Sequence, residues 1–222
     1  ISVCTLLVSF PAPIILAVMI NELRSKAYSR VVQTASYLPH FISLVVICSL
    51  IKEFTAQGGI ITELLTHIGF PDTSMLNEPK YFVPIYVISE TWQVIGWDSI
   101  IYLAALTSIS PDIYEAAAID GVGRFQKIIY ITLPGIVPTV LTMLILKVGG
   151  LMSLGYEKII LLQNASNYST SDVINSFVYR RGLVDRSYSF SSAVGLFNSV
   201  INCILLFGSN WLSKKFSQTS LW

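Results

Sequence analysis

Long apolar runs alternate with shorter polar stretches along the 222 residues of the chain. Five of these runs approach the length of about twenty residues that an α-helix needs to cross a bilayer. They cover residues 1–20, 37–51, 81–106, 135–155 and 190–212. The pattern therefore predicts an all-α, polytopic transmembrane bundle that forms a single domain over residues 1–222, with five visible spans.

The polar stretches between these runs predict three kinds of connection. Residues 21–36 have the spacing of a short interfacial helix. Residues 52–79 and 156–189 read as exposed loops, the first with one amphipathic turn around residues 60–68. Residues 111–134 predict two short helices around a glycine pair, the second running from Arg124 to Tyr130 and ended by Pro134.

Composition supports a membrane protein and excludes several other classes. Charged residues make up 12% of the chain and hydrophobic residues 53%, with a mean hydropathy of +0.66. A soluble domain would carry about a quarter charged residues. A net charge of +1 gives no attraction to nucleic acid. The three cysteines lie far apart inside apolar runs, which indicates packing residues and no metal site.

Basic residues predict the orientation of the bundle, because short cytoplasmic loops are enriched in Lys and Arg. The stretch after the first span, the 111–134 stretch and the tail fall on one side of a five-span protein. We expect that side to be cytoplasmic, with the start of the chain outside and the tail inside. The basic residues on this side are Arg24, Lys26, Arg30, Arg124, Lys127, Lys214 and Lys215.

Catalytic motifs are missing from the sequence. There is no GxxxxGK[ST] phosphate loop, no HExxH and no GxSxG. His40 and His67 are paired neither with each other nor with cysteine, so they read as interface histidines. The sequence thus predicts no nucleotide site, no metal and no cofactor in this chain. The triplets at Asn164 and Asn167 fit the glycan-acceptor pattern, and we interpret them as chance occurrences.

Polar side chains at membrane depth allow two interpretations. Such groups are costly in lipid and mark functional sites by default. They can instead make interhelical hydrogen bonds or reach the interface, as expected for Lys147. Under the first interpretation they join aromatic rings in lining a passage for sugars, with Asn198 and Asn202 on one helix face. The candidate passage residues are Trp92, Gln93, Trp97, Tyr102, Tyr156, Asn198 and Asn202, with Glu90, Asp98 and Lys147 nearby.

One motif in the 111–134 stretch is far more specific. The sequence reads EAA, three residues, Gly, nine residues, then I-x-L-P. This spacing resembles the EAA signature of ABC importer permeases, and every fixed place is filled. The matching residues are Glu115, Ala116, Ala117, Gly121, Ile131, Leu133 and Pro134.

The residues of this stretch also suit a compact docking element. Pro111 and Asp112 fit a helix start, and the alanines keep that helix thin so that another protein can approach its backbone. Gly121 and Gly123 permit a sharp turn. Phe125 lies on the apolar side of the second short helix.

The resemblance implies a type I ABC importer permease whose loop docks on a cytoplasmic ATPase. It implies that Glu115 makes a polar contact there, and that ATP and Mg²⁺ are bound and hydrolysed by two partner ATPases, so that this chain is no enzyme. It further implies a second homologous permease, an extracellular binding protein and a multi-pass location in the bacterial inner membrane. The predicted coupling residues are Glu115, Ala116, Ala117, Asp120, Gly121, Arg124, Phe125, Leu133 and Pro134.

The likeness covers nearly the whole chain and indicates carbohydrate uptake. FPAPIILAVMINE, YEKIILLQN, SDVINSFVYRRGL and YSFSSAVGLFNSVINCILL are similar to segments of permeases for oligosaccharides and polysaccharide fragments. Family members usually have six spans, so we expect that an initial span is absent from this sequence. Import of peptides or amino acids by the same machinery, a channel or scaffold without an ATPase, and a membrane enzyme are the alternatives.

Overall fold

The computed structural model describes residues 1–153 and 155–217, and no strand occurs among them. The all-α class predicted from the apolar runs is therefore confirmed. Residues 154 and 218–222 belong to the predicted fourth span and the predicted tail, and they lie outside the described residues.

The first predicted span is a helix of 20 residues, Ser2–Asn21. It consists of α1 (Ser2–Ser9) and α2 (Pro11–Asn21), which meet at Phe10. Pro11 occupies the first turn of α2, where a missing N–H costs nothing because that group has no partner within the helix.

The second predicted span is more complex than its sequence suggests. The predicted interfacial helix is α3 (Lys26–Tyr37), which Ser25 caps by accepting a hydrogen bond from the backbone N–H of Tyr28 at 3.3 Å. A 3₁₀ turn, Leu38–Phe41, then leads to α4 (Leu44–Phe54), and the two helical parts are bent by 96°. The 11 residues of α4 rise only about 16 Å, so α4 alone is too short to cross a bilayer.

The third predicted span is α6 (Pro79–Thr107), a helix of 29 residues at the centre of the fold. The preceding segment, predicted as a loop, contains α5 (Ile60–Thr66) and a 3₁₀ turn, Met75–Asn77. After α6 the chain bends by 69° into α7 (Pro111–Ile119).

The prediction that Pro134 ends a short helix is wrong. The segments α8 (Arg124–Lys127), a π-helical turn (Ile128–Thr132) and α9 (Leu133–Gly149) form one continuous helix, Arg124–Gly149. A proline ring normally clashes with the carbonyl four residues earlier. Here that carbonyl belongs to Tyr130 inside the widened π turn, which gives the ring room.

The predicted polar loop 156–189 is largely helical, which corrects the second loop prediction. It contains α10 (Tyr156–Leu162), α11 (Tyr168–Ser171), α12 (Ile174–Tyr179) and a π-helical turn, Arg180–Val184. The last predicted span is α13 (Tyr188–Ser217).

By length and composition, three helices among the described residues can cross a membrane: Ser2–Asn21, Arg124–Gly149 and Tyr188–Lys215. The number rises to five if α3 with α4 and α6 with α7 each count as one bent span. The five-span prediction corresponds to that upper number.

Two apolar clusters hold the bundle together, and α6 contributes to both. One joins α4, α6 and α10 and contains Cys48, Leu76, Phe82, Tyr86, Val87, Ile159 and Leu162. The other joins α2, α6 and α9 through Ala17, Tyr102, Leu106 and Ile136. The predicted packing role is confirmed for Cys48, whose side chain is buried in the first cluster, whereas Cys4 and Cys203 are exposed on the surface of the chain.

Candidate coupling loop and polar cleft

The loop that carries the EAA motif begins with a capped helix. Ser110 is the N-cap of α7, and its hydroxyl accepts a hydrogen bond from the backbone N–H of Asp112 at 3.3 Å. Pro111 follows at the first helical position, as predicted. Asp112 lies in the first turn, where its carboxylate favours the positive end of the helix dipole.

The helix α7 ends in a Schellman motif that requires glycine. The N–H of Val122 donates to the carbonyl of Ala117 at 3.0 Å, and the N–H of Gly121 donates to that of Ala118 at 3.2 Å. Gly121 has a φ of +74°, a conformation that side chains rarely adopt. The sharp turn predicted at Gly121 is therefore confirmed.

The second half of the loop starts at Gly123. Its backbone N–H donates to the side-chain carbonyl of Gln126 at 3.0 Å, and its own carbonyl accepts from the N–H of Lys127 at 3.0 Å. Only four residues therefore separate the end of α7 at Ile119 from the start of α8 at Arg124. The result is a tight corner between α7 and the long Arg124–Gly149 helix.

Three contacts fix this corner to the bundle. Ala117 is buried, and the hydroxyls of Tyr114 and the fully buried Thr132 are 3.0 Å apart. Arg124 donates to the backbone carbonyl of Glu22 at 3.4 Å, and its Nε lies 3.8 Å from the Glu22 carboxylate. The loop therefore contacts both the end of α2 and the start of the long helix.

The outer surface of the corner is apolar and uncovered. Ile119 is 86% exposed and Phe125 82% exposed, values unusual for large apolar side chains. Glu115 and Ala116 are exposed on α7, and neither Glu115 nor Asp120 has an ion-pair partner among the described residues. Leu133 and Pro134 are also exposed, at the start of α9. The predicted coupling residues thus lie on α7, on the turn after it and on the first turns of the long helix, and all of them except the buried Ala117 are exposed.

A second site is a polar cleft beside α6. The buried ammonium of Lys158, on α10, donates to the Glu90 carboxylate at 2.9 Å and to the Gln93 carbonyl at 3.3 Å. The adjoining cleft has a volume of about 470 Å³. Its polar lining comprises His40, Glu90, Gln93, Ser153, Tyr156, Glu157, Lys158 and Asn175.

A smaller cleft of about 210 Å³ lies on the other side of Glu90, against α1. Lys147 lines it and donates to the Asp98 carboxylate at 2.8 Å. The expected reach of Lys147 towards the interface is thus replaced by an interhelical ion pair. Both pairs join a lysine from a later segment to a carboxylate of α6.

Among the predicted passage residues, three lie at or beside the polar cleft. Gln93 and Tyr156 line it. Trp97 stacks on the cleft residue His40 with ring centroids 4.5 Å apart and an interplanar angle of 4°. Sequence reasoning missed His40 and Lys158. One signal for Lys158 was available in the sequence. Glu90 and Gln93 lie three residues apart in one predicted span, and a carboxylate at membrane depth needs a cation from another segment to balance its charge.

The other four predicted passage residues have different surroundings. Trp92 lines a separate apolar cavity of about 390 Å³ between α4, α5 and α6. Tyr102 is buried in the second apolar cluster, so it is a packing residue. Asn202 accepts from the N–H of Met152 at 3.1 Å, and Asn198 donates to the carbonyl of Met152 at 3.3 Å. The two asparagines therefore hold the turn that follows α9.

The two segments predicted as loops, 52–79 and 156–189, are joined by asparagines. Asn167 is fully buried, and its amide donates to the carbonyls of Leu76 at 2.9 Å and Leu162 at 3.3 Å. The Asn164 amide donates to the same Leu76 carbonyl at 3.1 Å. Neither amide is free to accept a glycan, which agrees with the chance interpretation of both triplets.

A charged pair stabilises the same region. Arg180 donates two hydrogen bonds to the carboxylate of Asp172, at 2.9 and 2.8 Å. These bonds lower the pKa of Asp172 below its ordinary value. The carboxylate also accepts from Ser176 at 2.7 Å, so it orients the start of α12.

Helices that can span a membrane, a fixed corner that carries the EAA motif and a polar cleft together define a membrane transport subunit. Residues 9–218 match the family of binding-protein-dependent transport system inner membrane components, and the chain belongs to that family. It is a permease subunit of an ABC transport system. The resemblance seen in the EAA motif is thus confirmed.

Several relatives are similar over nearly the whole chain. Protein LplB of Bacillus subtilis (strain 168) is 42% identical over 97% of this chain and 68% of its own length. The polygalacturonan/rhamnogalacturonan transport system permease protein YteP of the same organism is 39% identical over 98% of this chain and 68% of its own length.

Solved structures show the same fold. A chain of a bacterial ABC transporter that imports the acidic polysaccharide alginate superposes with a TM-score of 0.93 and 43% identity, covering 97% of this chain and 76% of that one. A chain of an alginate transporter in complex with a pentasaccharide-bound periplasmic protein gives a TM-score of 0.91 at 42% identity, covering 98% of this chain and 78% of that one.

Proposed function

We propose that this chain forms half of the passage through which an ATP-driven importer moves an oligosaccharide or complex glycan. A second, homologous permease forms the other half, in the cytoplasmic membrane of a bacterium. Two cytoplasmic ATPase subunits bind Mg²⁺ and hydrolyse ATP, and an extracellular binding protein delivers the sugar.

The observation that carries the coupling role is the inner corner. Its outer surface presents Ile119 and Phe125, both more than four-fifths exposed, beside Glu115, whose carboxylate has no ion-pair partner in the described part of the chain. Exposed apolar side chains of this size indicate a protein interface. Its base is fixed through Tyr114 and Thr132, so a displacement of the corner is passed on to the long helix.

The polar cleft supports a carbohydrate as the transported solute. Aromatic faces stack on sugar rings, and the cleft offers His40, stacked on Trp97, together with Tyr156. The side-chain amide of Gln93 adds a hydrogen-bonding group for sugar hydroxyls. The names of relatives point the same way, since they include polygalacturonan and arabinooligosaccharide permeases. The passage role of Gln93, Trp97 and Tyr156 is part of this proposal.

Charge reversal at Glu115 tests the coupling role. We expect Glu115→Lys in the assembled, reconstituted complex to abolish the stimulation of ATPase activity by the loaded binding protein, while all subunits still co-purify in folded form. Lys214→Glu, an exposed charge reversal at the end of α13, is the matched control and should leave stimulation intact. Normal stimulation in the Glu115 variant would refute the assigned contact.

The same assay tests the substrate class. We expect stimulation when the binding protein is loaded from a panel of oligosaccharides, and none when it is offered peptides or amino acids. Stimulation by peptides alone would overturn the carbohydrate assignment and leave the coupling role standing.

A further inference from the structure

A cleft of about 570 Å³ lies between α3 and α6. It is separate from the polar cleft and from the corner between α7 and the long Arg124–Gly149 helix, which we call the coupling corner. We call it the inner cleft. The two helices touch where Gly96 faces Ser36, since a Cβ on Gly96 would lie 2.0 Å from the Ser36 carbonyl oxygen. From that contact the cleft widens along α3 towards its start and along α6 towards its end.

The two walls of the inner cleft have opposite chemistry. The α3 wall carries Lys26, Arg30 and Gln33, which share one helix face because they are four and then three residues apart. The α6 wall carries Ile100, Leu103 and Ala104, all apolar, and Thr107 near the end of the helix is the one polar residue that α6 contributes to this lining. A ligand that fills the cleft must therefore be polar and anionic on one side and hydrocarbon-like on the other.

The cations of the inner cleft are not neutralised by the protein. Neither Lys26 nor Arg30 has an ion-pair partner among the described residues, and no acidic residue lines the cleft. The neighbouring acid Glu22 is paired with Arg124 at 3.8 Å. This contrasts with Lys147 and Lys158, each of which is paired with a carboxylate of α6.

The inner cleft lies at a membrane–water boundary. Lys26 follows the first span, which ends at Asn21, by a few residues. The opposite face of α3 exposes apolar residues, with Tyr28 58% and Val31 64% exposed. A basic amphipathic helix of this kind lies in the interface plane, where anionic lipids are attracted to Lys and Arg. The hydrogen bond from Arg124 to Glu22 places the cleft on the side of the coupling corner.

We infer that the inner cleft binds an anionic phospholipid of the cytoplasmic leaflet. Its phosphate is held by Lys26 and Arg30, and one acyl chain lies along Ile100 and Leu103. The leaflet assignment rests on the proposed function, which makes the coupling corner cytoplasmic. A soluble phosphate compound shares the headgroup chemistry, but it leaves the apolar wall unused.

Photolabelling of the assembled complex tests this inference. The complex is reconstituted in phosphatidylcholine nanodiscs with a small fraction of phosphatidylglycerol that carries a photoreactive acyl chain. We expect the label in peptides of α6 that contain residues 100–107 and in peptides of α3. In Lys26→Gln/Arg30→Gln, labelling at limiting lipid should fall roughly 30-fold, because each basic residue near an anionic headgroup contributes about fivefold in affinity.

Matched controls make the outcome decisive. Lys214→Gln/Lys215→Gln removes the same charge at the end of α13 and should label like the wild type. Unchanged labelling in the Lys26/Arg30 variant would overturn the inference, and so would competition by millimolar glycerol phosphate. Absence of label from the inner cleft of the assembled complex would also overturn it, since a partner subunit would then cover the site.

The result is separable from the proposed function. The Glu115→Lys complex, uncoupled from its ATPases, should still take up the lipid label at wild-type levels. If the Glu115→Lys variant loses ATPase stimulation but the inner cleft takes up no photoreactive lipid, the lipid site is refuted and the coupling role is not.

Discussion

Lys158 is the most consequential single residue of the polar cleft. Its side chain is only 2% exposed, whereas that of its partner Glu90 is 28% exposed. A buried ion pair of this kind is costly to form, and removing one partner is costlier still, because it leaves a buried charge uncompensated. The pair therefore stabilises α10 against α6 only while it is complete.

The Lys158 variant should show this asymmetry. We expect Lys158→Met to lower the free energy of unfolding of the purified complex by about 3 kcal/mol, measured by thermal unfolding in detergent. Glu90→Gln/Lys158→Met should recover most of the loss. Lys147→Met is the control, with an effect of about 1 kcal/mol or less because the Lys147 side chain is 43% exposed. A double variant as unstable as Lys158→Met would contradict this account.

Single residues were predictable where their role depends on neighbours in sequence. The positive φ of Gly121 and the exposed Glu115 follow from local spacing in the EAA motif. The surroundings of Tyr102 and Asn198 do not follow from local spacing, because they depend on how each helix is rotated about its axis. A span that is apolar all round carries no periodicity from which that rotation can be predicted.

At the scale of elements, the packing of α3 on α6 depends on one missing side chain. Gly96 lies inside a long helix, where glycine is unfavourable by roughly 0.5–1 kcal/mol relative to alanine. Its presence is explained by the backbone of Ser36, which occupies the space that a Cβ would need. The same contact closes the narrow end of the inner cleft.

Adding that Cβ should separate the two helices. We expect Gly96→Ala to destabilise the protein by about 1–3 kcal/mol, because the clash is with backbone and cannot be relieved by a rotamer change. Gly195→Ala on α13 meets nothing within 4 Å and should be neutral or slightly stabilising. Thermal unfolding of both variants measures the difference. Equal stability of the two would contradict the close approach.

The apolar runs predicted where helices exist, but not how they join. The helices Ser2–Asn21, Pro79–Thr107 and Tyr188–Ser217 match the predicted spans 1–20, 81–106 and 190–212 to within about five residues, because long apolar runs dominate any local preference. The fourth predicted span, 135–155, lies in a helix that begins earlier, at Arg124, and ends at Gly149. The bend of 96° between α3 and α4 and the continuity through Pro134 were not predicted. Both depend on backbone geometry, a 3₁₀ turn and a π turn, for which the sequence carries no distinct signal.

At the scale of the whole molecule, side-chain hydrogen bonds join the end of the bundle opposite the coupling corner into one unit. Two segments far apart in sequence, 75–79 and 164–176, are joined by Asn164 and Asn167 on the carbonyl of Leu76 and by Thr170 on that of Pro79. We expect this unit to receive the binding protein, because it forms the end of the bundle opposite the coupling corner.

Replacing Asn167 by alanine removes the buried amide and tests whether the joined segments are needed for the response to the binding protein. We expect Asn167→Ala to lower the free energy of unfolding by about 2–3 kcal/mol, since buried carbonyls lose their donors. The variant complex should retain basal ATPase activity and lose most of its stimulation by the binding protein. Ser166→Ala, an exposed neighbour whose hydroxyl makes no hydrogen bond among the described residues, is the control. Full stimulation of the Asn167 variant would refute a role for the joined segments.

The absence of a break at Pro134 has a mechanical consequence. The 26 residues of Arg124–Gly149 form one helix about 39 Å long, and the coupling corner lies at its N-terminal end. If this helix tilts as one rod about its N-terminal end, each degree of tilt moves its C-terminal end by about 0.7 Å, a displacement that follows from the rise per residue. Beyond its C-terminal end, Asn198 and Asn202 form hydrogen bonds with Met152, and Asn202 also donates to the hydroxyl of Ser153. Ser153 in turn lines the polar cleft. Under the proposed function, we therefore expect a small tilt of this helix at the coupling corner to produce a larger displacement at the wall of the polar cleft.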